Sequence, residues 1–131
     1  MGDKKRILVV DDDVDFVDSV KRVLERGVPA DVDVAYDGVE GAEKVAAAPP
    51  DLIVLDVMMP RKDGYRLCAE LKADERYRQI PIVLLTAVAD HIATTTYSHQ
   101  DGMTTDAEEY LPKPVEPEEL LRTVRRLLRC R

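Results

Sequence analysis

The sequence predicts an α/β protein: a five-stranded parallel sheet with helices on both faces. Three observations carry this expectation. Ile7-Leu8-Val9-Val10, Leu52-Ile53-Val54-Leu55 and Ile80-Pro81-Ile82-Val83-Leu84-Leu85 are unbroken apolar runs, the pattern of strands buried on both faces. Between them the apolar period changes to that of an amphipathic helix. Each run also ends on a polar residue where the chain must turn. Strands alternating with helices imply parallel pairing through right-handed crossovers.

In order, the first strand is Ile7–Val10, ending on Asp11-Asp12-Asp13. Phe16, Val20, Val23 and Leu24 recur at helical spacing, with Asp13 suited to cap the helix and Gly27 to stop it. Val32-Asp33-Val34-Ala35 is a short alternating strand, and Asp37-Gly38 a turn after it. Val39, Ala42, Val45 and Ala46 form a small helix ended by Pro49-Pro50. The third strand runs from Leu52 into Asp56. Asp63-Gly64 reads as a turn into a helix whose apolar face is Leu67, Cys68 and Leu71. The fourth strand ends on Thr86-Ala87. Between residues 90 and 109 the pattern is illegible: Thr94-Thr95-Thr96 is a poor helix former and Asp101-Gly102 a breaker. Tyr110-Leu111 is a short fifth strand before Pro112-Lys113-Pro114. A strong helix from Glu116 to Arg131 closes the chain, with acids in its first turn, arginines in its last, and an apolar face of Leu121, Val124 and Leu128 flanked by Leu120 and Leu127.

The 131 residues suffice for one domain, and residues 1–131 are expected to be a single domain with no output domain after it. Cys68 and Cys130 show no disulfide framework, so a reduced, cytoplasmic protein is expected. The charged start and the short apolar run behind it exclude a signal peptide or membrane span there. With 26 acids against 19 bases the net charge is −7, which disfavours direct nucleic-acid binding.

In a parallel sheet the carboxyl ends of the strands lie together, and ligands bind at that edge. Asp11 and Asp12 end the first strand, Asp56 the third, Thr86 the fourth and Lys113 the fifth. Three close carboxylates repel one another and hold protons more readily. A hard divalent cation relieves this, and Mg²⁺ characteristically binds carboxylates together with a phosphate. The hydroxyl and the ammonium suit phosphoryl oxygens. The chemistry supported is phosphoryl transfer onto a carboxylate, with Asp56 as nucleophile.

Val9-Val10-Asp11-Asp12, Leu55-Asp56-Val57-Met58-Met59-Pro60 with Asp63-Gly64, Leu85-Thr86-Ala87 and Tyr110-Leu111-Pro112-Lys113-Pro114 resemble, in order, the four signatures of response-regulator receiver domains. The resemblance spans roughly residues 5 to 130 and implies a flavodoxin-like sheet of strand order 2-1-3-4-5. It also implies a phosphorylation switch rather than an enzyme, catalysing only its own phosphorylation and dephosphorylation. Asp56 would be the phosphoacceptor. Asp11 and Asp12 would serve Mg²⁺, Asp12 more directly, with the Met58 carbonyl a further ligand. Thr86 and Lys113 would contact the phosphoryl group, Ala87 would leave it room, and Tyr110 would be the aromatic that moves between exposed and buried positions. The Lys113-Pro114 bond would be cis. The partners implied are a sensor histidine kinase or phosphotransfer protein and an output partner; a monomer or weak dimer is expected. One departure stands out. The span from Thr86 to Lys113 is longer than in the family and encodes its helix poorly, so a loop is expected to replace part of it.

Two rival readings remain at this point. Asp11-Asp12-Asp13 also fits the Asp-x-Asp start of haloacid-dehalogenase-like phosphatases, with Asp11 as nucleophile, although Asp15 stands where those enzymes carry Thr or Val. An interaction module that keeps the fold without phosphorylation is the other. Arg122, Arg125, Arg126 and Arg129 read as a solvated face, and His91 and His99 as surface residues.

Overall fold

The computed structural model describes residues 4–59, 63–86 and 107–129. Its elements are β1 (Lys5–Val10), α1 (Val14–Gly27), β2 (Ala30–Ala35), α2 (Gly38–Ala47), β3 (Leu52–Asp56), α3 (Gly64–Ala73), β4 (Ile82–Thr86), β5 (Glu109–Pro112) and a last helix, α4 (Pro117–Arg129). The five strands form one parallel sheet in the order β2-β1-β3-β4-β5, as expected. The expectations for Pro60, Ala87, His91, His99, Thr94-Thr95-Thr96, Asp101-Gly102, Cys130 and a helix between Thr86 and Lys113 fall outside the described residues.

The pleat divides the apolar residues between two cores. Ile7 and Val9, Leu52 and Val54, Val83 and Leu85, and Leu111 face α1 and α4. Leu8 and Val10, Ile53 and Leu55, and Ile82 and Leu84 face α2 and α3, around Val45, Leu67, Cys68 and Leu71. Both faces are covered, so β3 and β4 are buried at every position. Each fully buried Leu or Ile in them contributes roughly 1.5–3 kcal/mol. The edge strand β2 alternates instead and turns Asp31 and Asp33 to solvent, which guards its open edge. No helix among the described residues is long and apolar enough to cross a membrane.

Several boundaries move, each for a local reason. β4 begins at Ile82, not Ile80, because Pro81 has no N–H for a ladder; Ile80 instead donates to the Tyr77 carbonyl at 3.0 Å. Asp37-Gly38 and Asp63-Gly64 are helix starts rather than separate turns. Asp37 and Asp63 are N-caps, their Oδ1 atoms each accepting an N–H at 2.8 Å, from Glu40 and Arg66. Gly27 is the last residue of α1 rather than its stop signal. Val28, held extended before Pro29, ends the helix. Gly27 is small for another reason: Leu121 of α4 occupies the space a Cβ would need. That contact leaves Leu121 at the flank of α4, whose buried face is Leu120, Thr123, Val124, Leu127 and Leu128. The arginine face is not all solvated. Arg125 donates to the Gly27 carbonyl at 2.9 and 3.1 Å, and Arg126 pairs with Glu109 at 2.7 Å.

Candidate functional site

At the carboxyl edge of the sheet, register decides what meets. Val10 pairs with Leu55, and Asp56 with Leu85, so the ends of β1, β3 and β4 are level. Asp11 follows β1 directly, its N–H bonded to the Ala35 carbonyl at 3.1 Å. Asp56 is the last residue of β3. Both carboxylates are buried, at 1% and 5% exposure. Asp12 is exposed at the rim. One carboxylate oxygen from each of Asp11, Asp12 and Asp56 lies within 4.8 Å of the others, the one such acid group among the described residues that could hold a metal ion.

Lys113, just past β5, reaches back over this cluster. Its Nζ lies 3.0 Å from Oδ2 of Asp11 and 3.0 Å from Oδ1 of Asp56. The other Asp11 oxygen, Oδ1, accepts the Asp13 N–H at 3.0 Å. The Lys113-Pro114 peptide bond is cis, as expected. The Lys113 N–H donates to the Thr86 carbonyl at 2.6 Å, tying the end of β5 to the end of β4.

The electrostatics follow from burial. Removal from water pushes the Asp56 carboxyl up to about 6, the Asp11 charge adds to this, and the hydrogen bond from Lys113 only partly opposes it. Burial likewise raises Asp11 above the ordinary carboxylate value, against the pull of the Asp13 N–H and Lys113. For Lys113, burial acts to lower the pKa, but the hydrogen bonds to Asp56 and Asp11 outweigh it and raise it. Three acids with a single ammonium leave an excess of negative charge in a half-buried pocket. The oxygen-rich donor set suits a hard divalent cation such as Mg²⁺.

Of the residues singled out in the sequence, Asp11, Asp12, Asp56 and Lys113 are thus brought together. Met58 lies on the loop after β3 and is 60% exposed. Thr86 ends β4 fully buried, and its hydroxyl finds no hydrogen-bond partner among the described residues. Its pleat parity is that of Ile82 and Leu84, on the α3 side of the sheet, whereas Asp56 has the parity of Val54 on the α1 side. Tyr110 pairs in register with Leu84 and is half-buried against that same α3-side core.

Two residues read as merely structural in the sequence lie against the site. Phe16, assigned to the apolar face of α1, places its ring under the Lys113 ammonium, 4.4 Å from nitrogen to ring centre. Gly64 opens α3 directly on the end of β3. Its N–H donates to the Val57 carbonyl at 2.9 Å, and a Cβ there would overlap the Asp56 carbonyl group. The signal for Gly64 is present in the sequence, since a glycine in a first helical turn admits backbone at contact distance. Phe16 is the sole phenylalanine, but nothing along the chain points it at Lys113.

Comparison with known proteins bears on this pocket. Residues 7–125 match the response regulator receiver domain family. Response regulator MprA of Mycobacterium ulcerans is 43% identical over 127 residues, covering 95% of this chain and 50% of that protein. The DNA-binding dual master transcriptional regulator RpaA of Synechocystis sp. is 40% identical over 124 residues, covering 95% and 49%. The chain therefore spans about half the length of the curated relatives it matches. Among solved structures, the signal receiver domain of a signal transduction histidine kinase from Syntrophus aciditrophicus superposes with a TM-score of 0.84 at 31% identity, covering 95% of this chain and 90% of that one. A CheY-like response regulator receiver domain protein from Methanospirillum hungatei gives 0.79 at 30% identity, covering 96% and 94%.

Proposed function

The chain belongs to the response regulator receiver domain family, the phosphoacceptor part of two-component signalling, and from that premise we propose that Asp56 is its phosphoacceptor. The observation that carries this is the placement of Asp56: buried, beside two further acids, and 3.0 Å from the Lys113 ammonium. An Asp56 oxygen attacks the phosphorus of a phosphohistidine on a sensor kinase or phosphotransfer protein. The P–N bond breaks, its electron pair stays on the imidazole nitrogen, which takes up a proton, and Asp56 is left as an acyl phosphate.

Asp12, Asp56 and the Met58 carbonyl would hold Mg²⁺, with Asp11 behind them. When bound, the ion neutralises charge on the carboxylate and the incoming phosphoryl group. Lys113 follows the phosphoryl oxygen as its contact with Asp56 is given up. The buried Thr86 hydroxyl turns to another phosphoryl oxygen, and Tyr110, on the same side of the sheet, moves with it. Phosphorylation thereby biases a two-state equilibrium that an output partner reads. The domain catalyses only the gain and loss of its own phosphoryl group. The occupied oxygens of Asp11 argue against Asp11 as nucleophile, since one accepts the Asp13 N–H and the other Lys113. We further infer a cytoplasmic setting, where kinase and phosphodonor reside. The DNA-binding activity in the name of RpaA would belong to a separate output domain, since this chain carries a net charge of −7.

The test is mass-spectrometric mapping after incubation with acetyl phosphate and Mg²⁺. Label on Asp56, absent from Asp56→Asn, is expected; label on Asp11 would overturn the assignment and restore the phosphatase reading.

A further inference from the structure

We propose that Phe16 is the positioning residue for Lys113, its ring face holding the ammonium over the acid cluster. This rests on the phosphoacceptor reading above and deepens it.

Four residues close a circuit. The Asp13 N–H donates to Asp11 Oδ1 at 3.0 Å, and Asp13 Oδ1 accepts the Phe16 N–H at 3.2 Å. The Phe16 ring centre lies 4.4 Å from Lys113 Nζ, and Lys113 Nζ returns to Asp11 Oδ2 at 3.0 Å. The cap that starts α1 therefore also fixes where the ring sits. A lysine ammonium has three N–H donors. Asp11 and Asp56 take two sides of Nζ, and the ring covers another with its negative face.

Lys113 needs such support. It lies past β5 with its side chain 27% exposed, and a lysine side chain has several rotatable bonds whose freedom is lost when the ammonium is held in one place. When the phosphoryl group arrives, the ammonium must leave Asp56 for a phosphoryl oxygen. It must neither collapse onto Asp11 nor swing out to water. A ring face attracts the charge without a directional bond, so Nζ can shift across it while remaining over the pocket. Asp11 alone would anchor it at one point. The rate of phosphoryl capture then depends on the electron density of the ring at position 16, beyond its volume.

The experiment replaces Phe16 with mono-, di- and trifluorinated phenylalanine, which keep the shape and progressively remove the negative ring face, alongside Phe16→Tyr and Phe16→Leu. Phosphorylation of Asp56 by acetyl phosphate with Mg²⁺ is followed by mass spectrometry. Independently, the Lys113 ε-methylene shifts are recorded by NMR in metal-free protein. The expected result is a stepwise rate loss along the fluorine series, reaching roughly three- to tenfold at the end and in Phe16→Leu, with Phe16→Tyr near the parent rate. The ε-methylene protons should lie upfield in the parent and lose that shift in Phe16→Leu. Equal rates across the fluorine series, or unchanged Lys113 shifts in Phe16→Leu, would overturn the role of Phe16 alone. Failure of the parent protein itself to gain label on Asp56 would instead overturn the phosphoacceptor reading.

Discussion

Lys113 Nζ sits 3.0 Å from Oδ1 of Asp56, although the two residues lie on non-adjacent strand ends, β5 and β3, with β4 between them. The contact is made across the top of β4, where the Lys113 N–H is tied to the Thr86 carbonyl. It is the main force opposing burial of the Asp56 charge.

Removing that force should expose the cost of burial. In Lys113→Gln, Asp56 should hold its proton to a pH above the present value of about 6. At pH 7.5 the variant should be less stable by about 1–3 kcal/mol, because a buried carboxylate loses its partner. Carbon-13 titration of the Asp56 carboxyl and thermal denaturation check both parts.

The raised Asp56 value sets a pH dependence with a definite sign. The native carboxyl titrates near 6 and the unfolded one near 3.8, so between those values the native state binds more protons. Stability from this group is therefore greatest at the acid end and is lost as pH rises through about 6. In metal-free protein, Asp56→Asn should melt above the parent at pH 8, by at most about 3 kcal/mol, and the gap should narrow below pH 6 and close toward pH 4. Melting curves across that range decide it.

Addition of millimolar Mg²⁺ should raise the melting temperature of the parent at pH 7.5, by linkage to the folded acid cluster. Asp12→Ala should lose most of that rise while still folding, since Asp12 is exposed and its loss removes no packing. A rise of equal size in Asp12→Ala would remove Asp12 from the ion's ligands.

Gly64→Ala places a Cβ against the Asp56 carbonyl group, backbone that cannot give way cheaply. A destabilisation of about 1–3 kcal/mol is expected, with slower phosphoryl capture as the end of β3 shifts. Gly27→Ala serves as the control, because the atoms it meets belong to the mobile end of the Leu121 side chain. Comparable losses in both variants would sever the link between Gly64 and Asp56.

Met58, exposed two residues after Asp56, offers no side-chain group to orient an attacking water. The acyl phosphate should therefore persist for minutes or longer without a phosphatase, and Met58→Asn should shorten its life. Loss of label within seconds in the parent protein would contradict this.

Much of the fold could be read along the chain because burial on both faces leaves no room for polar residues in Ile7–Val10 of β1 or in the interiors of β3 and β4. Unbroken apolar runs ending in polar residues then mark both the strands and the rim. What the residue order left open is what one element does to another. Gly27 looks like a helix stop until Leu121 is seen above it. Asp37-Gly38 and Asp63-Gly64 look like turns until their carboxylates are seen capping helices. Tyr110-Leu111 is too short to announce the four-residue strand that pairing with β4 draws out.

The sequence by itself determined that Asp11, Asp12, Asp56, Thr86 and Lys113 stand at strand ends, since apolar runs and their polar stops are properties of the chain alone. Only the tertiary structure decided which of these side chains touch. Lys113 joins Asp11 and Asp56, its ammonium comes to lie over the Phe16 ring, and Thr86 keeps the parity of the opposite face. The reason is that contact across a sheet edge depends on register, pleat and the seating of α1, which bring together residues as far apart as Asp11 and Lys113 and leave no mark in any one segment.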